Sequence, residues 1–115
     1  MHELSIALSL VEAAERAASR ARAERVNYLR VEVGAMAGVV PEALRFGYDV
    51  ATQGTLLEGS ELRIERTPVV VFCDTCEAER TLPQLHAFRC PVCSAPAAKI
   101  VRGKELEILD MEIEP

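Results

Sequence analysis

Cys73-Asp74-Thr75-Cys76 and Cys90-Pro91-Val92-Cys93 stand thirteen residues apart. Each C-x2-C pair closes a tight turn whose two sulfurs point at one ion. Two such turns facing each other supply four thiolates in a tetrahedron, the donor set of a structural Zn(II) site. All four positions are filled by protein, so the metal organises the chain and leaves no position for water or substrate. Two other uses of the spacing exist. Disulfides do not suit a cytosolic chain with this pattern. A rubredoxin-like iron site does, because tetrahedral sulfur accepts iron as well. His86 lies inside the loop and reads as a solvated histidine, with a spare-ligand or proton-sensing role as the alternative.

Outward from the pairs, Pro68 marks a change of character, and Val69-Val70-Val71-Phe72 reads as a short buried strand entering the first pair. From 73 to about 100, Pro83, Pro91 and Pro96 interrupt any regular pattern. This stretch is expected to be a metal-organised knuckle without a large core of its own. Regular periodicity lies on both sides. Leu4, Ala7, Leu8, Val11, Ala14 and Ala18 recur at helical spacing and predict a helix over 4–22. Leu29, Val31 and Val33 alternate with Arg30 and Glu32, a half-buried strand over 26–33. Gly34 and Gly38 bracket a turn, Pro41 opens a second helix to about 52, and Gly54 stops it. Leu62 and Ile64 mark another strand. A last strand spans 105–114, and its inward phase changes near Leu109 or Asp110, as at a bulge.

The last strand has no sequence neighbour, so it is expected beside the strands at 26–33 and 60–66. The fold class is then α+β: a domain of about three strands and two helices, with a zinc-ribbon-like four-cysteine domain inserted in it. The boundaries are 1–68 plus 104–115 for the first domain and 69–103 for the second.

Composition narrows the function. Half of the 115 residues are hydrophobic and 27% are charged, as in a folded globular chain. The formal net charge is −5, which is badly placed to attract phosphate backbones. Between Cys73 and Cys93, Arg80 and Arg89 meet Asp74, Glu77 and Glu79, and aromatic residues make up only 4% of the chain. A zinc-ribbon adaptor for nucleic acid or protein is therefore the weaker alternative, and nucleic acid is not an expected partner. No apolar run approaches a membrane span, and the N-terminus has no basic n-region, so a cytoplasmic location without a membrane partner is expected. No nucleophile–base constellation is apparent, so the chain is not expected to be an enzyme.

The start of the chain is the second candidate site. Histidine at position 2 is too large for methionine removal, so Met1-His2 offers an amine, a backbone amide and an imidazole together. The amine and imidazole deprotonate near neutral pH, and nitrogen donors of this kind suit Ni(II) and Cu(II). Taken alone, Met-His is also what a frayed terminus looks like.

Several separated motifs, in order, resemble one family. Met1-His2-Glu3-Leu4-Ser5 opens the first helix, and Val39-Val40-Pro41-Glu42-Ala43-Leu44-Arg45-Phe46 opens the second. Gly54-Thr55, Ile64-Glu65, both cysteine pairs and Gly103-Lys104-Glu105-Leu106 follow. Together they resemble the HypA/HybF nickel metallochaperones of NiFe-hydrogenase maturation, over residues 1 to about 114. The resemblance implies Ni(II) held by His2 with backbone nitrogens of Met1 and His2, and with Glu3 as a supporting or neighbouring ligand. It implies structural Zn(II) on Cys73, Cys76, Cys90 and Cys93. It also implies delivery of nickel to a hydrogenase large subunit with a HypB-like pathway GTPase, and service to urease in some bacteria. One departure is the turn Gly34-Ala35-Met36-Ala37-Gly38, which lacks the acidic residue that relatives often carry, so no ligand is assigned there. Met36 reads as a gap-filler or an exposed turn residue.

Overall fold

The computed structural model describes residues 2–83 and 88–115; Met1 and His86 lie outside them. The chain divides into two compact units. The first comprises Met1–Glu32, Val39–Glu65 and Glu107–Pro115, and the second Val33–Gly38 and Arg66–Leu106.

In the first unit, helix α1 (His2–Arg20) turns Ala7, Leu10, Val11, Ala14 and Ala18 inward. The sequence predicts helix to residue 22, but α1 stops at Arg20 without a glycine. Arg22 takes the left-handed conformation at φ 57°. Its N–H donates to the Ser19 carbonyl, and the Ala23 N–H to the Ala18 carbonyl. This pair of bonds closes a Schellman motif, which glycine usually provides. Strand β1 (Arg25–Gly34) follows and buries Val26, Leu29, Val31 and Val33. Helix α2 (Pro41–Ala51) starts with Pro41 in its first turn, and Val40 at its N-cap lacks a capping side chain. Leu44 and Tyr48 reach full burial, with the Tyr48 hydroxyl 2.6 Å from Ser60 Oγ. Gly47 lets the helices approach, since a Cβ there would lie 3.2 Å from the Leu4 Cα.

Strand β2 (Glu61–Thr67) and a final strand, numbered β6 (Leu106–Glu114), flank β1 on opposite sides. Arg25 binds Glu114, Asn27 binds Glu112 and Arg30 binds Asp110, so β1 and β6 run antiparallel. Tyr28 stacks under Arg63 and Arg30 meets Glu65, so the pairs along β1 and β2 rise together, as in a parallel pair joined by a helix. The last strand thus borders β1 alone, not both earlier strands as its sequence position suggests. Its half-buried apolar residues are Ile108, Met111 and Ile113, so the inward phase does change along it.

The second unit departs most from the sequence pattern. A single strand is predicted at 69–72, but the structure has a sheet of three. Strand β3 (Val70–Cys73) lies between β4 (Ala78–Thr81) and β5 (Lys99–Arg102), both antiparallel to it. Four residues per strand leave too little alternation to read. Val69, Val71, Leu82 and Ala97 form a small core, against which Ala35, Met36, Phe88 and Ile100 pack. Met36 is therefore a gap-filler. The 34–36 turn is hydrogen-bonded into this unit: Gly34 N–H donates to the Glu105 carbonyl, Ala35 to Thr67 and Met36 to Gly103. A Cβ on Gly34 would sit 2.2 Å from the Gly103 oxygen, so only glycine fits.

Candidate metal centre

Strand β3 delivers Cys73 at its last position, and the first knuckle turns back into β4. The residue after each second cysteine, Glu77 at φ 52° and Ser94 at φ 65°, is left-handed. Two stretches sharing only their cysteines therefore adopt the same local turn. In each, the second cysteine's N–H donates to the first cysteine's sulfur: Cys76 to Cys73 Sγ at 3.4 Å, and Cys93 to Cys90 Sγ at 3.5 Å. Val92 N–H adds a second donor to Cys90 Sγ at 3.4 Å. The Cys90 N–H is anchored on the Ala95 carbonyl at 2.8 Å.

The four sulfurs lie within 4.8 Å of one another. Cys73 and Cys93 sulfurs are 3.5 Å apart, and those of Cys76 and Cys90 3.8 Å. These are not disulfide distances, and all four cysteines are free. A tetrahedron with metal–sulfur bonds of about 2.3 Å has edges of about 3.8 Å, so the cluster fits a four-thiolate ion. Cys73 and Cys90 are buried, Cys76 is half-buried and Cys93 is exposed. The Cys93 N–H, aided by that of Val92 and opposed by burial, pulls the Cys90 pKa down to about 6. At Cys93 the Ala95 N–H acts to lower the pKa, but the Cys73, Cys76 and Cys90 sulfurs and burial outweigh it and push the thiol up to about 12. Thiols this close resist ionising together unless a cation shares the charge, which a divalent ion does.

The other predicted donors start α1. The His2 side chain is 57% exposed, with Nε2 3.7 Å from Glu3 Oε2. Glu3 is buried, and its carboxylate accepts the Val40 N–H at 3.1 Å. The Val40 N–H, then the N–H of Glu3 itself, holds the Glu3 carboxyl down to about 2. Glu3 therefore ties the start of α1 to the N-cap of α2. The first amides of a helix lack intrahelical acceptors, so the backbone nitrogens of this turn are not committed to the α1 ladder. Beside Glu3 lies an apolar groove of about 320 Å³ lined by Leu4, Ala43, Phe46, Gly47 and Val50. Phe46, part of the motif that opens the second helix, is 73% exposed. Helical periodicity could not separate the groove side of α2 from its buried side.

The family described as "Hydrogenase/urease nickel incorporation, metallochaperone, hypA" matches residues 1–113. The chain belongs to the HypA family. A hydrogenase maturation factor HypA from Roseiflexus sp. (strain RS-1) is 50% identical over 114 residues, covering 99% of this chain and 93% of the relative. One from Chloroflexus aurantiacus (strain ATCC 29366 / DSM 635 / J-10-fl) is 50% identical over 112 residues, covering 97% and 98%. The solution structure of the Ni metallochaperone HypA from Helicobacter pylori superposes with a TM-score of 0.67 at 22% identity, covering 99% of this chain and 98% of the other. A second HypA solution structure gives 0.70, also at 22%, covering 98% and 96%. The fold is therefore the HypA fold, α+β with two helices and small sheets, and the HypA resemblance carried by the separated motifs is correct. HypA relatives are named as maturation factors and metallochaperones.

Proposed function

We propose that this chain is a nickel metallochaperone, acting in the cytoplasm without catalysis, that takes up Ni(II) at Met1, His2 and Glu3 and delivers it for NiFe-hydrogenase maturation. The observation that carries this reading is the pairing of an exposed His2 with a fixed Glu3 at the first turn of α1, in a chain matched to the nickel-incorporation family from its first residue. Ni(II) is cargo here. His2 offers imidazole nitrogen, the neighbouring backbone offers amide nitrogen, and Glu3 supports the site from below through its bond to Val40. Nitrogen donors of this kind discriminate against Mg(II) and Ca(II). Exposure of His2 leaves the ion within reach of an acceptor. The apolar groove beside Glu3 gives an acceptor protein, a HypB-like GTPase or the hydrogenase large subunit, a surface on which to dock. Urease service follows the same chemistry.

The second metal is resident. Zn(II) on Cys73, Cys76, Cys90 and Cys93 would supply a tetrahedral crosslink between the two knuckles, whose like turns bring the four sulfurs within 4.8 Å of one another. By this reading, the 1–68 plus 104–115 segments carry the nickel function and 69–103 the zinc function.

Nickel titration of the full chain, with nothing preceding Met1, tests the proposal. His2→Gln is the right variant, because alanine at position 2 would invite removal of Met1. His2→Gln should weaken Ni(II) binding by a hundredfold or more while zinc stays at one per chain. Parent-like nickel binding would refute the N-terminal site.

A further inference from the structure

Arg80 belongs to β4 and lies opposite Val71, one ladder step from the Cys73–Ala78 pair. Directly opposed residues of an antiparallel pair project to one face, and alternate residues of a strand share a face. Arg80 therefore leaves the sheet on the side of Val71, a core residue, and Cys73, a candidate metal ligand. Arginine is almost never placed inward unless it is paired. Arg80 is half-buried, and its Nε is buried without a hydrogen-bond partner. Its neighbour Glu79 pairs with Arg102 across the sheet, and among the described residues no carboxylate pairs with Arg80. The strongest interactions of its guanidinium are with Cys76 and Cys90, one from each knuckle.

We propose that Arg80 is the outer-shell cation of the four-cysteine centre, with its guanidinium fork bridging Cys76 of the first knuckle and Cys90 of the second. The inference rests on the zinc reading above. Two positive charges on zinc against four on the thiolates leave two negative charges in a partly buried place, a costly arrangement without a counter-charge. Arg80 removes one of them. Its planar fork matches two acceptors at once, which the single ammonium of lysine cannot do. Donation to a thiolate lowers the energy of the sulfur lone pair, which slows zinc loss and blunts attack on electrophiles. Arg89, the other arginine between the pairs, is exposed and donates to the Ser94 carbonyl instead.

The experiment uses the full chain loaded with zinc, and separately with Co(II). Zinc transfer to a chromophoric chelator and the thiolate-to-cobalt charge-transfer band are measured in the parent, Arg80→Gln, Arg80→Lys and Arg102→Gln. Arg102→Gln removes an equal charge from the same sheet and should match the parent. Arg80→Gln should release zinc about tenfold to a hundredfold faster, the range for loss of an outer-shell partner. Its cobalt band should move to lower energy. Arg80→Lys should fall between the two. A parent-like band and release rate in folded Arg80→Gln would overturn the proposal. If that variant does not fold, Arg80→Lys decides: intermediate values support the bridging fork and parent-like values overturn it. Failure of the zinc reading would look different, because the parent itself would then bind no zinc.

Discussion

Cys73 and Cys90 are buried, and the Cys73 and Cys90 sulfurs each accept at least one backbone N–H. His2 carries its imidazole more than half exposed on the first turn of a helix. Both regions bring metal donors together, and they differ in what fixes them. In the second unit the backbone turns and the three-stranded sheet hold the sulfurs in place. At the start of α1 Glu3 is pinned by the Val40 N–H, and the exposed imidazole of His2 lies 3.7 Å from its carboxylate. Rigid, closed donors suit a metal that stays. A loosely held donor at a chain end suits a metal that leaves, because changing its coordination disturbs little else. Under the proposed function, burial and backbone anchoring are what would separate a resident ion from cargo.

The comparison breaks most visibly at the cysteines. Cys90→Ser should abolish stoichiometric zinc binding and unfold the second unit, since structural zinc supplies about 10–16 kcal/mol of apparent binding energy in small zinc domains. Tyr28 and Tyr48 are the only tyrosines, there is no tryptophan, and both belong to the first unit. Tyrosine fluorescence therefore follows that unit by itself. Its denaturant transition should survive in Cys90→Ser while metal analysis reads near zero. Loss of the tyrosine transition together with the metal would show that the two units are energetically one.

Gly34→Ala sharpens the same contrast without touching a ligand. The new Cβ would meet the Gly103 carbonyl and the Glu105 N, both backbone atoms that cannot swing aside. Overpacking of this kind costs about 3 kcal/mol, and more where the obstruction is backbone. The cost should fall on the second unit. The expected outcome is faster zinc release to a chelator with His2-dependent nickel binding retained. Unchanged zinc release would mean that the 33–38 turn does not brace the cysteine unit.

Much of this was legible in the sequence, and the limits have physical causes. The C-x2-C spacing located the four-cysteine cluster because ligand geometry is local. Alternation located β1, β2 and β6 because each has seven residues or more. Strands β4 and β5 escaped notice because Glu79-Arg80-Thr81 and Lys99-Ile100-Val101 are too short to show a period. The end of α1 was missed because Arg22 does the work of glycine. Pairing of the last strand depends on β1 lying between two partners, which no local pattern encodes. Arg80 was visible only as one charge among five between Cys73 and Cys93. The position of its guanidinium depends on the Val71–Arg80 register, and registers are tertiary facts. The burial of Glu3 was equally hidden, because an acidic residue in a first turn ordinarily reads as solvent-facing dipole compensation.

Glu3 gives the smallest effect and the one most specific to the exposed site. Its folded pKa lies near 2 and its ordinary value is 4.5. A carboxylate whose pKa is depressed by folding contributes stability that is fully present above the unfolded value. That contribution is lost as pH falls toward the folded one. The window here runs from about pH 4.5 down to about 2. Glu3→Gln keeps an oxygen acceptor for the Val40 N–H but cannot ionise. The stability gap between parent and variant, read through tyrosine fluorescence in urea, should be largest at pH 5 and above. It should then shrink steadily as the pH is lowered through that window. Zinc loss in acid does not confuse the comparison, because the tyrosines report the other unit and both proteins share the same cysteines. A gap that stays constant down to pH 2.5 would mean that the carboxylate is not held by Val40. His2 would then stand on a turn no better anchored than itself.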